Sequence, residues 1–159
     1  HLRQSVSITG FSTEVFSKAI EGITQIHTIF SRVFKDGTLE HWQPLTYTDH
    51  LVIDMSNRYF TSRRQNPSAK PLPFYHLVDP NGVLADIAVG DLIHSEENDV
   101  KHFERDLGGE KKEIYRRMDP MKFKTGDLVE AQVSFVGVPL KGGGTKMMTV
   151  LRALTLLDC

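Results

Sequence analysis

The sequence predicts a mainly β chain, an antiparallel barrel or sandwich with an OB-like layout among the options, carrying one helix near its N-terminus. Three observations predict it. Thr125 to Asp158 reads as one long hairpin, with Val129, Ala131, Val133 and Phe135 alternating with Glu130, Gln132 and Ser134. That period of two marks a strand with one buried face. Between Leu45 and Met118, short apolar runs are cut by turn signals. From Phe11 to Phe34, by contrast, apolar residues recur at three- and four-residue steps, as on one face of a helix.

Taken in order, the helix is expected over about 12–35. Ser12 or Thr13 can cap it, Glu14 sits in the first turn, and Asp36-Gly37 offers a stop. Gly22 and the β-branched residues Ile23, Thr24, Ile26, Thr28 and Ile29 leave a competing reading, a shorter helix followed by a strand from Ile23. The β body spans about 45–158. Leu45–Met55 reads as a strand, and Tyr59-Phe60-Thr61 either continues it or begins its partner. Pro67, Pro71 and Pro73 mark 62–73 as a loop.

Phe74–Val78 and Val83–Ile87 read as strands across the turn Asp79-Pro80-Asn81-Gly82. Short strands follow up to His94, over Asp99–Asp106 and over Lys111–Met118, separated by Ser95–Asn98 and Leu107–Glu110. The closing hairpin breaks at Gly142-Gly143-Gly144 and returns over Met147–Leu157. About nine strands and one helix result, with no internal repeat, and residues 1–159 are expected to be a single domain.

At 159 residues, 40% hydrophobic and 25% charged, the composition is that of an ordinary globular chain. No apolar run approaches the roughly 18 residues that span a bilayer. No signal peptide is visible, and the single cysteine, Cys159, excludes an internal disulfide. An intracellular protein, cytoplasmic or nuclear and without a membrane partner, is the expectation. The net charge of −1 disfavours a generic polyanion binder. Yet residues 1–54 carry −2, 55–75 carry +4, 76–110 carry −7 and 111–159 carry +4. The surface is therefore either dipolar or neutralised by pairing between these blocks.

Two groups of residues resemble a known family. One is Phe74-Tyr75-His76-Leu77-Val78-Asp79-Pro80, Gly82-Val83-Leu84 and His94–Asn98. The other is Phe123, Gly126-Asp127-Leu128-Val129-Glu130, Ser134-Phe135, Val138–Lys141, Leu151-Arg152-Ala153 and Leu156-Leu157-Asp158. Over roughly residues 72–158 the chain is similar to an uncharacterised β-rich family of mushroom-forming fungi. The resemblance implies a fungal, intracellular setting and supplies no functional residue.

Candidate chemistry is sparse. His94, Glu96, Glu97 and His102 gather potential metal ligands around one turn, but in neither the metalloprotease nor the calcium-loop spacing, and a polar turn explains them equally. His1 could chelate copper through its amine and imidazole. Gly142-Gly143-Gly144-Thr145-Lys146 lacks the phosphate-loop spacing, and no Gly-x-Ser-x-Gly elbow occurs. No catalytic residue and no cofactor is expected.

Two basic, aromatic-bearing stretches carry more weight. Arg58, Tyr59, Phe60, Arg63 and Arg64 form the first. Lys111, Lys112, Tyr115, Arg116 and Arg117 form the second, and Lys141 flanks the hairpin tip. Arginines pair phosphates and aromatics stack bases, which is how β-barrel modules hold single strands of DNA or RNA. The expectation is a non-catalytic binding module working by protein–protein contact or self-association through charge-segregated surfaces. Single-stranded nucleic-acid binding is the alternative, and a metal-dependent enzyme the second alternative.

Overall fold

The computed structural model describes residues 2–108 and 112–159. The chain is mainly β with a helix near the N-terminus, as the periodicities require. Among the described residues the strands are β1 (Arg3–Thr9), β2 (Leu45–Tyr47), β3 (His50–Arg58), β4 (Thr61–Ser62), β5 (Leu92–Ile93), β6 (Lys101–Leu107), β7 (Glu113–Arg117), β8 (Leu128–Pro139) and β9 (Thr145–Asp158). The helices are α1 (Glu14–Ser31) and α2 (Val83–Ile87). Seven strands share one sheet, and β4 pairs β5 separately.

The chain divides into two compact units, and β1, β3, β8 and β9 have residues in both. The first unit comprises His1–Gln4, Asn57–Val133 and Leu151–Cys159; the second comprises Ser5–Ser56 and Ser134–Val150. In the second unit α1 runs unbroken past Ile23, so the competing strand reading fails. The Thr13 hydroxyl caps it by accepting from the Phe16 N–H. The hydroxyls of Thr24 and Thr28 bond back to the carbonyls of Ile20 and Thr24 at 2.9 and 3.1 Å. Those bonds absorb the polar β-branched residues that weakened the helical pattern.

The run expected as one strand from Leu45 is a hairpin instead. Tyr47 pairs His50, and the two turn residues Thr48 and Asp49 both adopt left-handed backbone (φ 45° and 64°). A two-residue turn of that kind matches strand twist, although neither residue is the usual glycine. β1 went unforeseen, since its alternation of Ser5, Ser7 and Thr9 with Val6 and Ile8 is short and weakly apolar.

The first unit holds the other corrections. Phe74–Val78 is a turn, with the Val78 N–H donating to the Tyr75 carbonyl at 2.8 Å. Val83–Ile87 is the short helix α2 rather than a strand. Gly82 enters it in a left-handed conformation, and the Asp79 carboxylate accepts from the Ala85 N–H at 2.8 Å. A five-residue run with four apolar residues does not distinguish helix from strand; the turn chemistry ahead of it decides.

The long hairpin β8–β9 forms as expected, closed through Gly142–Gly144, all at positive φ. Pairing is mixed, not wholly antiparallel. β6 runs antiparallel to β7 but parallel to β9, from Lys101↔Ala153 to Glu104↔Leu156. β3 also meets β9 in parallel, at Ser56↔Val150. Local turn signals report only sequential hairpins, and these parallel ladders join strands far apart in sequence.

Candidate functional site

In the first unit, a chain of aromatic contacts connects the two basic stretches. Phe74 is its hinge. Its ring stacks on His94 at 3.9 Å between centroids and touches Tyr59 and Phe60 at 6.2 and 5.9 Å. His94 is fixed in turn by a 2.9 Å hydrogen bond between Nδ1 and the Tyr59 carbonyl. Phe60 is buried at 9% exposure, and burial pushes the Tyr59 phenol above its ordinary pKa. Phe60 belongs to the core, which corrects its expected role as a surface stacking group, while Tyr59 is half-buried. Their sequence neighbours Arg58, Arg63 and Arg64 are exposed.

The next residue, Tyr75, faces the second stretch. The Arg117 guanidinium lies 3.9 Å from the Tyr75 ring centroid and 5.6 Å from that of Phe103. The β6–β7 register explains the arrangement. Phe103 pairs with Arg117 and Arg105 with Tyr115, so the period of two puts all four on one sheet face. Glu113 binds two of this group. It lies 3.4 Å from Arg105 and accepts from the Tyr115 hydroxyl at 3.1 Å, a bond that raises the phenol's pKa. Tyr115 remains 49% exposed.

Lys112 is exposed, Arg116 pairs with Asp106 at 3.3 Å, and Lys111 lies outside the described residues. Lys141 is exposed and belongs to the second unit. Tyr75, Phe103 and Arg105 escaped the sequence reading. Tyr75 sat in an expected strand, while Phe103 and Arg105 sat inside an acidic block, and only the cross-strand register reveals them.

The charge blocks do meet. Arg64 lies 3.8 Å from Asp91, and Asp91 also accepts from Ser62 and from the Arg64 N–H at 2.5 and 3.2 Å. The Ser62 hydroxyl first, then the Arg64 N–H and the positive charges of Arg64 and Arg63, hold its carboxyl below the ordinary pKa. With Arg116–Asp106 and Arg105–Glu113, these pairs join basic residues to acidic ones within one unit. They weaken the dipolar surface that the sequence blocks suggested.

The turn at His94–Asn98 is structural. Asn98 Oδ1 accepts from the Ser95 N–H and hydroxyl at 3.1 and 3.0 Å, and Asn98 Nδ2 donates to Thr61 at 3.0 Å. The Glu97 carbonyl accepts from Asn57 and Arg152 at 2.8 and 2.7 Å. His94 and His102 are buried while Glu96 and Glu97 are exposed. Among the described residues no group of three or more His, Cys, Asp or Glu side chains comes together to hold a metal ion. The metal candidates therefore do not assemble, and His1 lies outside the described residues. Among the described residues, no helix is long and apolar enough to cross a membrane.

No family model and no curated protein matches the chain. Among solved structures, the chain is similar to the single-stranded DNA-binding protein encoded by bacteriophage T7, at 8% identity and a TM-score of 0.41, over 98% of this chain and 72% of that one.

Proposed function

We propose that this chain is a binding module for single-stranded nucleic acid and that the β6–β7 face is its contact surface. One observation carries the reading: the Arg117 guanidinium lies over the Tyr75 ring beside the cross-strand pair Arg105–Tyr115. A guanidinium held against a ring keeps its edge N–H groups for phosphate oxygens, while the half-exposed Tyr115 ring offers a stacking surface that any base accepts. Glu113 is the acidic counterweight, occupying Arg105 and Tyr115 until a strand displaces it.

Fluorescence anisotropy of labelled single- and double-stranded oligonucleotides, titrated across salt concentration, tests this. Single strands should bind better than duplex. Tyr115→Ala should cost about 1–3 kcal/mol of affinity. Arg117→Ala should weaken binding and lower the salt slope by about 0.7 for each phosphate left un-neutralised. Glu113→Gln should tighten it. Absence of binding at low salt, or binding indifferent to all three changes, would retire the face.

Self-association is a second reading, favoured by the apolar end of the second unit. Phe11 is 68% exposed and Tyr47 76% exposed, and both lie next to His50. Phe11 and Ser12 adopt left-handed backbone, as Thr48 and Asp49 do. A second copy of this chain is the occupant that the reading names.

A further inference from the structure

We propose that the outer edge of β7 is a dimerisation surface, where a second copy of this chain adds its own β7 in antiparallel register and continues the sheet. β7 ends the strand order of the sheet, and among the described residues it pairs only with β6. The hydrogen bonds at the two ends of that ladder tell which main-chain groups it uses. The Met118 N–H donates to the His102 carbonyl at 3.0 Å, and the Gly108 N–H donates to the Lys112 carbonyl at 3.1 Å. In an antiparallel pair, bonded and non-bonded positions alternate. Lys112, Ile114, Arg116 and Met118 therefore bond to β6, while Glu113, Tyr115 and Arg117 turn their N–H and carbonyl groups outward. Such a row is a template for another strand.

The side chains choose the occupant. Glu113, Ile114, Tyr115 and Arg116 are exposed. Read along the outward positions, the strand runs acid, aromatic, base, an order that is its own complement when reversed. Against an antiparallel copy centred on Tyr115, Glu113 faces Arg117 of the second copy, and the two Tyr115 rings face each other. Opposite charges and paired aromatics directly across a ladder both favour pairing. Registers centred on Glu113 or on Arg117 would set like charges opposite, so the charges that repel an arbitrary strand select this one. Glu113 holds Arg105 and the Tyr115 hydroxyl through its two oxygens, and each oxygen keeps a lone pair for the second copy. A two-fold axis at the Tyr115 pair closes the contact and sets both Arg105–Tyr115 faces on one side of the sheet. The edge lies wholly in the first unit, apart from the apolar end of the second.

Sedimentation velocity of the full chain, without nucleic acid and in a Tyr47→Ser background that disrupts the apolar end of the second unit, isolates this edge. A reversible dimer should appear as concentration rises. Glu113→Arg sets positive charges against each other across the outer pairs, and Arg117→Glu sets negative ones. Either should raise the dimer dissociation constant about tenfold or more. Mixed in equal amounts, the two variants complement each other, and a heterodimer should return. Tyr115→Pro removes an outward N–H and should block the dimer while circular dichroism shows a folded monomer. It carries the test if either charge variant fails to fold. A monomer at every concentration overturns the proposal, as does a dimer unmoved by Tyr115→Pro or a mixture of folded charge variants that stays monomeric.

Discussion

His102 is buried on β6 against Phe123, their ring centroids 5.9 Å apart. Burial, reinforced by the charge of Arg117, lowers its pKa from 6.5 to about 4. In the unfolded chain the imidazole takes a proton near its ordinary value, so between these two pKa values the unfolded state binds more protons. Stability from this group is complete above pH 6.5, declines as the pH falls, and is gone near pH 4. The most this shift can contribute is about 3 kcal/mol. Urea unfolding midpoints measured from pH 7 to pH 4 should fall steeply for the native chain and more shallowly for His102→Gln. Parallel curves for the two would place the pH dependence elsewhere. The histidines were legible in the sequence as titratable groups near a turn; their burial was not.

At the scale of elements, α1 depends on one close approach. A Cβ at Gly10 would lie 2.2 Å from Phe16 Cβ, an atom held by the helix backbone and unable to swing away. Gly10→Ala should therefore destabilise the chain by about 1–3 kcal/mol, the usual cost of overpacking. Gly22, inside the helix, has open space around its Cα, so Gly22→Ala should stabilise by up to about 1 kcal/mol. Thermal melts of the two variants check the contrast, and equal melting temperatures would refute it. The sequence made Gly22 conspicuous because it interrupts a helical pattern. It gave no hint of Gly10, whose constraint comes from a side chain six residues on.

At the scale of the whole molecule, the sequence blocks promise charge segregation, but the fold pairs Arg116 with Asp106, Arg105 with Glu113 and Arg64 with Asp91. Self-association should then be driven by apolar surface rather than by charge. Sedimentation velocity should show a mass that rises with protein concentration, persists in high salt, and is reduced by Tyr47→Ser. Salt-induced dissociation would restore the electrostatic reading, and a monomer at all concentrations would remove self-association.

By itself the sequence determined what depends on neighbours along the chain: the helical face from Phe11 to Phe34, the alternation of the closing hairpin, and the glycine-rich tip. Periodicity and turn chemistry are local, and a local pattern survives in any tertiary setting. Only the tertiary structure decided that Phe60 is core while Tyr75 meets Arg117, that Phe103 and Arg105 join Tyr115 on one face, and that β9 pairs in parallel with β3 and β6. Those facts depend on registers between residues up to about a hundred positions apart, and cross-strand register leaves no mark on either strand alone.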